Sequence, residues 1–260
     1  MIRISKAVNR RTFLKNGLSF LFVNLFNLPL SNAFASSHTG FIPRFAIIID
    51  DIGFSRSRAE LFLQPEIPLT FSILPRLSKS RALAEELHAQ GHEIMLHQPM
   101  EPSGSIHDPG PGAVYVGDDP EIITGQIRKN IADTPFITGV NNHMGSKFTA
   151  CSKEMTNALT TIRERGLFFI DSLTTGSSTG FQTARALGMT AARRNLFLDL
   201  QRDEKAILAQ LRSLKARAQK QGYAIGIGHP YKETARAITL FKKDIHESGV
   251  SMVHISDLFS

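Results

Sequence analysis

The stretch FAIIIDDIGFS, residues 45–55, sets a run of apolar, mostly β-branched residues against two adjacent carboxylates. Ile47, Ile48 and Ile49 form the unbroken apolar segment expected of a strand buried on both faces. Asp50 and Asp51 follow at its C-terminal end, where burying even one charge is costly unless something offsets it. An acid pair at the tip of a buried strand therefore points to a cation. Adjacent residues of an extended chain face opposite sides. The pair thus reads as two roles, one carboxylate on the ion and the other toward an attacking water.

Similar apolar runs recur at 68–74, 93–96, 136–140, 167–170, 195–198, 223–227 and 250–255. Helix-period segments lie between most of them. SKSRALAEELHAQG places Leu83 and Leu87 on one face and stops at Gly91. DDPEIITGQIRKNIAD carries Asp119 as N-cap, Pro120 at the first helical position, and Ile123, Ile127 and Ile131 at i, i+4 and i+8. SKEMTNALTTIRERG and DEKAILAQLRSLKARAQKQG behave alike, each ending at Gly, and a last helix spans roughly 232–247. This alternation with short connections means an α/β fold, a parallel sheet with helices outside it. Seven or eight such units favour closure into a (β/α) barrel, and no phosphate-cradling GxGxxG follows the first strand. Two longer connections, 98–118 and 172–181, would both lie on the rim made by the C-terminal ends of the strands, where such barrels build their sites.

Composition narrows the partners. The formal charge is +7, but residues 1–35 contain Arg3, Lys6, Arg10, Arg11 and Lys15 and no acid, which leaves +2 for the rest. No basic stripe suits a phosphate backbone, so nucleic acid is not an expected partner. NRRTFLKNG resembles a twin-arginine export signal, with Arg10 and Arg11 ahead of a modest apolar stretch from Leu18 to Leu30. That stretch, broken by Asn24, Asn27 and Pro29, is too short and polar for a good membrane span. NAFA offers a cleavage site after Ala35. The expected organisation is a signal peptide over 1–35, a linker over 36–43 and one barrel domain over 44–260, with export to the periplasm. Cys151 is the only cysteine, so neither an intrachain disulfide nor a multi-thiolate site can form. It reads as a small residue at a helix start.

The ends of the expected strands carry Asp50-Asp51, His97, Asn141-Asn142-His143, Asp171, Asp199 and His229. Each has a plainer reading. A lone His after a strand is commonly a hydrogen-bonding turn residue. Asp171-Ser172 reads equally as a helix cap or an Asx-turn, and Asp199 can simply open a loop. The recurrence of such groups at corresponding places in successive units carries the argument, because a parallel barrel brings them all to one rim. His254 sits within the last strand without a carboxylate and reads as structural. His88, His92, His107 and His246 receive no role. Neutral imidazoles with one carboxylate suit zinc or a similar divalent ion with an open position for water. Such an ion lowers the pKa of water from about 15.7 toward about 7. A second, unligated carboxylate can take the proton during attack, and His229 on the opposite wall can protonate the leaving group. These residues alone leave open a phosphoesterase or peptidase on a similar barrel.

Taken together, IIIDDIGFS, EIMLHQPMEP, GVNNHMGSKFT, FFIDSLTTGSS, FLDLQRD and IGIGHPY resemble the divergent polysaccharide deacetylases of the bacterial envelope, over roughly residues 43–258. The resemblance implies a distorted (β/α) barrel and a metal-dependent hydrolase that removes acetyl groups from an acetylated polysaccharide such as a peptidoglycan-like glycan. Its bond would be a carbon–nitrogen amide other than a peptide bond. It further implies Asp50 as catalytic base, Asp51 as the metal carboxylate, His97 as the first metal imidazole and His229 as the acid. The well-studied deacetylases have a second His four residues after the first, where this chain has Glu101. The divergent branch has instead the His of the NNHMGS block, so His143 is expected to complete the site. Glu101 is then a ligand or a supporting partner, and Asn142, Asp171 and Asp199 belong to the supporting layer. Leu173 stands where the family usually has Arg, and Leu200 where Asn is common. These departures motivate an alternative, a catalytically inactive periplasmic module that binds glycan or protein on the same barrel.

Overall fold

The computed structural model describes residues 42–63, 66–104, 106–246 and 249–260. The expected signal peptide, and all but the last two residues of the expected linker, lie outside them. No helix among the described residues is long and apolar enough to cross a membrane.

The strands are β1 (Arg44–Ile52), β2 (Thr70–Ile73), β3 (Glu93–Met100), β4 (Ile137–Met144), β5 (Phe168–Asp171), β6 (Ala191–Arg193), β7 (Leu196–Phe197), β8 (Tyr223–Gly228) and β9 (Ser251–Met252). The helices are α1 (Arg56–Glu60), α2 (Ser80–Ala89), α3 (Pro120–Asp133), α4 (Ser152–Arg163), α5 (Gly180–Ala186), α6 (Glu204–Gln221) and α7 (Lys232–His246). Eight strands follow the order β6-β5-β4-β3-β2-β1-β8-β7, and β9 pairs with β1. Every pairing is parallel. The fold is thus α/β with a curled parallel sheet, a distorted (β/α) barrel.

The two ends of this order meet in one run of chain. β6 pairs with β5 and β7 pairs with β8, and only Arg194 and Asn195 separate them. The Arg194 N–H donates to Asp171 O at 3.0 Å, whereas the Asn195 N–H donates to Ile225 O at 2.8 Å. One extended segment therefore serves both edges. β6, α1 and α5 are additions to the elements read from the sequence. Each is seven residues or shorter, too short for a period to emerge, and α5 takes over the end of the expected 172–181 connection.

Period-two alternation decides which side chains line the interior. Ala46 and Ile48 of β1, Met95 of β3, Phe168 and Ile170 of β5, and Ile225 and Ile227 of β8 form the inner cluster. The alternate residues Phe45, Ile47 and Ile49 face outward and pack with Leu83 and Leu87 of α2, Leu211 and Leu214 of α6, and Phe241 of α7. Leu96, Val140 and Phe169 do the same under α3 and α4. Fully burying each of these side chains contributes about 1.5–3 kcal/mol, and a one-residue slip would turn every inward group outward. Gly139 clears space for a neighbour: a Cβ there would stand 2.2 Å from the Phe168 ring.

The N-terminal mouth of the barrel is closed by a buried acid. Glu93 accepts from Thr70 Oγ1 at 2.8 Å, Thr138 Oγ1 at 2.9 Å, and the backbone N–H groups of Ile255 at 2.8 Å and Ser256 at 3.2 Å. The chain's last turn, Ser256–Phe259, is held there.

Candidate metal centre

Continuing the inward alternation one step past the apolar layer gives Asp50 on β1, His97 on β3, and Asn141 and His143 on β4. The register pairs His97 with Asn141 and Pro99 with His143. Parity alone would send Asp51 outward. Instead its φ is +57°, in the left-handed region, and the β1–β2 register shifts between Ile49 and Ile52. Asp is among the few residues that tolerate this conformation, and such a bulge re-aims a side chain. The two carboxylates therefore do not point to opposite sides, as an extended chain would require. Asp51 Oδ1 lies 3.2 Å and Asp50 Oδ2 3.6 Å from the same atom, His97 Nε2.

Three donor atoms converge. Asp51 Oδ1 is 3.0 Å from His143 Nδ1 and 3.2 Å from His97 Nε2, and the two nitrogens are 3.1 Å apart. Asp51 Oδ1 is shielded from solvent, yet no N–H is directed at it. Donors about 2.0–2.2 Å from a common tetrahedral ion stand roughly 3.3–3.6 Å from one another, close to this triangle. The residues thus fit a divalent cation, and Asp51, His97 and His143 would hold it.

A single amide supports this arrangement. Asn141 Oδ1 accepts from His97 Nδ1 at 2.8 Å, which leaves the His97 Nε2 lone pair free for the ion. The Asn141 amide nitrogen donates to Asp50 Oδ1 at 2.8 Å, and Ser72 Oγ donates to the amide oxygen. Asn142, expected in this place, faces outward. It donates to Met144 O and accepts from the Ser172 N–H. Asn141 takes this place because it shares its parity along β4 with His143.

The charges are mutually dependent. Burial raises the Asp50 carboxyl above the usual range, against the pull of His97, His229 and Asn141. Burial acts the same way on Asp51, but the contacts to His143 and His97 outweigh it and hold that carboxyl far below. For His97, burial opposes protonation, and the charges of Asp50 and Asp51 overcome it and raise its pKa. The cluster demands a positive charge in its midst.

Across the mouth, His229 Nδ1 lies 2.8 Å from Asp199 Oδ1. Asp199 Oδ2 accepts from the His229 N–H at 2.6 Å and Thr234 Oγ1 at 2.9 Å. Burial lowers the His229 pKa, but the hydrogen bond and charge of Asp199, with Asp50 and Asp51 adding, carry it up to about 9. The expected Glu101 and Asp171 are engaged elsewhere. Glu101 pairs with Lys147 Nζ at 2.7 Å and accepts from the Val116 N–H. Asp171 accepts from the Leu173 N–H, an Asx-turn, and from Ser178 Oγ and the Phe181 N–H at the start of α5. Leu173 occupies the usual Arg position with φ +48°, and its carbonyl accepts from Arg194 Nη2 at 2.9 Å.

The sequence profile of the divergent polysaccharide deacetylase family matches residues 47–259. An uncharacterized protein of Haemophilus influenzae is 30% identical over 235 residues, covering 89% of this chain and 82% of its own. The uncharacterized protein YibQ of Escherichia coli is 30% identical over 197 residues, covering 75% of this chain and 61% of its own. Among solved structures, the uncharacterized protein ATU2773 of Agrobacterium tumefaciens superposes with a TM-score of 0.79 at 26% identity, over 83% of this chain and 89% of that one.

Proposed function

The chain belongs to the divergent polysaccharide deacetylase family, and from that premise we propose that it is a metal-dependent hydrolase removing acetyl groups from an envelope polysaccharide, in the periplasm and with zinc as the ion. The observation that carries the reading is the triangle of Asp51, His97 and His143 beside a buried, unligated Asp50 and facing a charged His229–Asp199 pair. Held by Asp51, His97 and His143, a divalent ion would make hydroxide available near neutral pH and would polarise the acetyl carbonyl.

The chain's own groups supply the proton transfers. Asp50, raised by burial and aimed by Asn141, takes the proton of the attacking water. His229, protonated at neutral pH and oriented by Asp199, gives its proton to the departing sugar nitrogen. Acetate, its own proton shed to solvent, and a free amine leave, and the cycle closes when Asp50 releases the water proton and His229 takes one back up.

The test is acetate release from N-acetylated glycan fragments by the zinc-loaded full-length chain. Release is expected, with D50N abolishing it while zinc content stays unchanged. No acetate from any N-acetylated glycan, with metal bound, would leave a binding module in its place.

A further inference from the structure

Next to Asp51, on the side of β1 and α1, lies a cleft of about 160 Å³ lined by Asp51, Phe54, Ser55, Arg58, Pro230 and Tyr231. Two of its features are unusual. Phe54 is 62% exposed although it stands only three residues from the candidate ligand Asp51. The Arg58 guanidinium has no carboxylate partner among the described residues, whereas Arg56, two residues earlier, bridges Glu60 at 3.2 Å and Glu86 at 2.8 Å. The opposite wall is built from packed side chains. Tyr231 is tilted 36° against His229 at 5.8 Å and covered by the Arg202 guanidinium at 3.9 Å, with Arg202 Nη2 donating to its hydroxyl at 2.7 Å.

A planar cation with no carboxylate partner among the described residues, an exposed aromatic face and a packed tyrosine make a site for a ring that carries a carboxylate. Guanidinium takes a carboxylate through two parallel hydrogen bonds, and aromatic faces pack against the C–H faces of a sugar. Asp51 at the inner end is committed to the ion, so the fork that can take the carboxylate is Arg58. We propose that this cleft binds an acidic sugar unit adjoining the acetylated one, and so selects glycans with a carboxylate beside the scissile acetyl group. This rests on the deacetylase reading above.

The experiment compares two substrates on the zinc-loaded full-length chain. One is an oligosaccharide alternating N-acetylglucosamine with N-acetylmuramic acid, and the other is the same oligosaccharide with its carboxylates methyl-esterified. A kcat/KM about tenfold higher for the acid, carried by KM, is expected. R58A should bring the ratio to about one and R58K should retain only part of it, because lysine lacks the fork. A ratio near one in the native chain, or one untouched by R58A, overturns the subsite while deacetylation stands. If neither substrate releases acetate, the function falls and calorimetric titration decides the subsite. Tighter binding of the acid than of the ester, lost in R58A, sustains it; equal binding overturns it.

Discussion

His97 and Asp50, on β3 and β1, share one amide: Asn141 accepts from His97 Nδ1 and donates to Asp50 Oδ1, each at 2.8 Å. The orientation of the imidazole and the aim of the carboxylate are therefore set by the same group. N141A should weaken zinc affinity about 10- to 100-fold, in the range of lost partners behind metal-ligating histidines. It should also lower kcat, because Asp50 loses its donor. N141D keeps the acceptor for His97 but sets a second carboxylate against Asp50, so it should spare more zinc affinity than kcat. Competition with a chelating dye and steady-state kinetics read the two effects separately.

The alkaline limb of the pH–rate profile should report His229. Its pKa in the folded chain is up at about 9, above the ordinary 6.5, so the acid is present at neutral pH and is lost as pH rises through 9. Because the folded value is raised, the stabilisation from its pairing with Asp199 is complete below about 6.5 and disappears through the same upper window. D199N removes the largest raising influence and should move the limb down by a unit or more. An unmoved limb would assign it to another group.

Metal and stability should be linked through Asp51, His97 and His143. At a hundredfold excess over the dissociation constant, a ligand specific for the folded state stabilises by about 2.7 kcal/mol, roughly 5–10 °C in Tm for a domain of this size. Zinc should produce that rise in the native chain and none in H143A or H97A. Thermal unfolding with zinc and with chelator checks it.

Glu93 should matter to the fold and not to the chemistry. Removing its carboxylate leaves the hydroxyls of Thr70 and Thr138 and the N–H groups of Ile255 and Ser256 without their acceptor. E93A should cost about 2–4 kcal/mol in denaturant unfolding. The folded fraction should keep its zinc affinity.

The sequence disclosed the alternation, the parallel sheet and the strand-end position of each polar group, because long periodic segments announce themselves. Of the residues it singled out, Asp50, Asp51, His97 and His143 lie together at the strand ends, and Asp199 pairs with His229. Their supporting layer was legible only in part. Choosing between Asn141 and Asn142 required the parity of β4, and Asp171, outward by the same rule, serves α5 instead. The left-handed φ of Asp51 has no signature in residue type, since Asp is equally at home in extended chain. β6 escaped because three residues carry no period.

The Arg194–Asn195 junction has a consequence for the protein at high concentration. Unpaired strand edges recruit other chains into shared sheets, and long flat edges do so most readily. Here the terminal strands of the order are three and two residues long and lie consecutively in the chain. Among the described residues no extended ledge remains on which a foreign strand could dock, so the sheet itself offers little template for intermolecular β-aggregation.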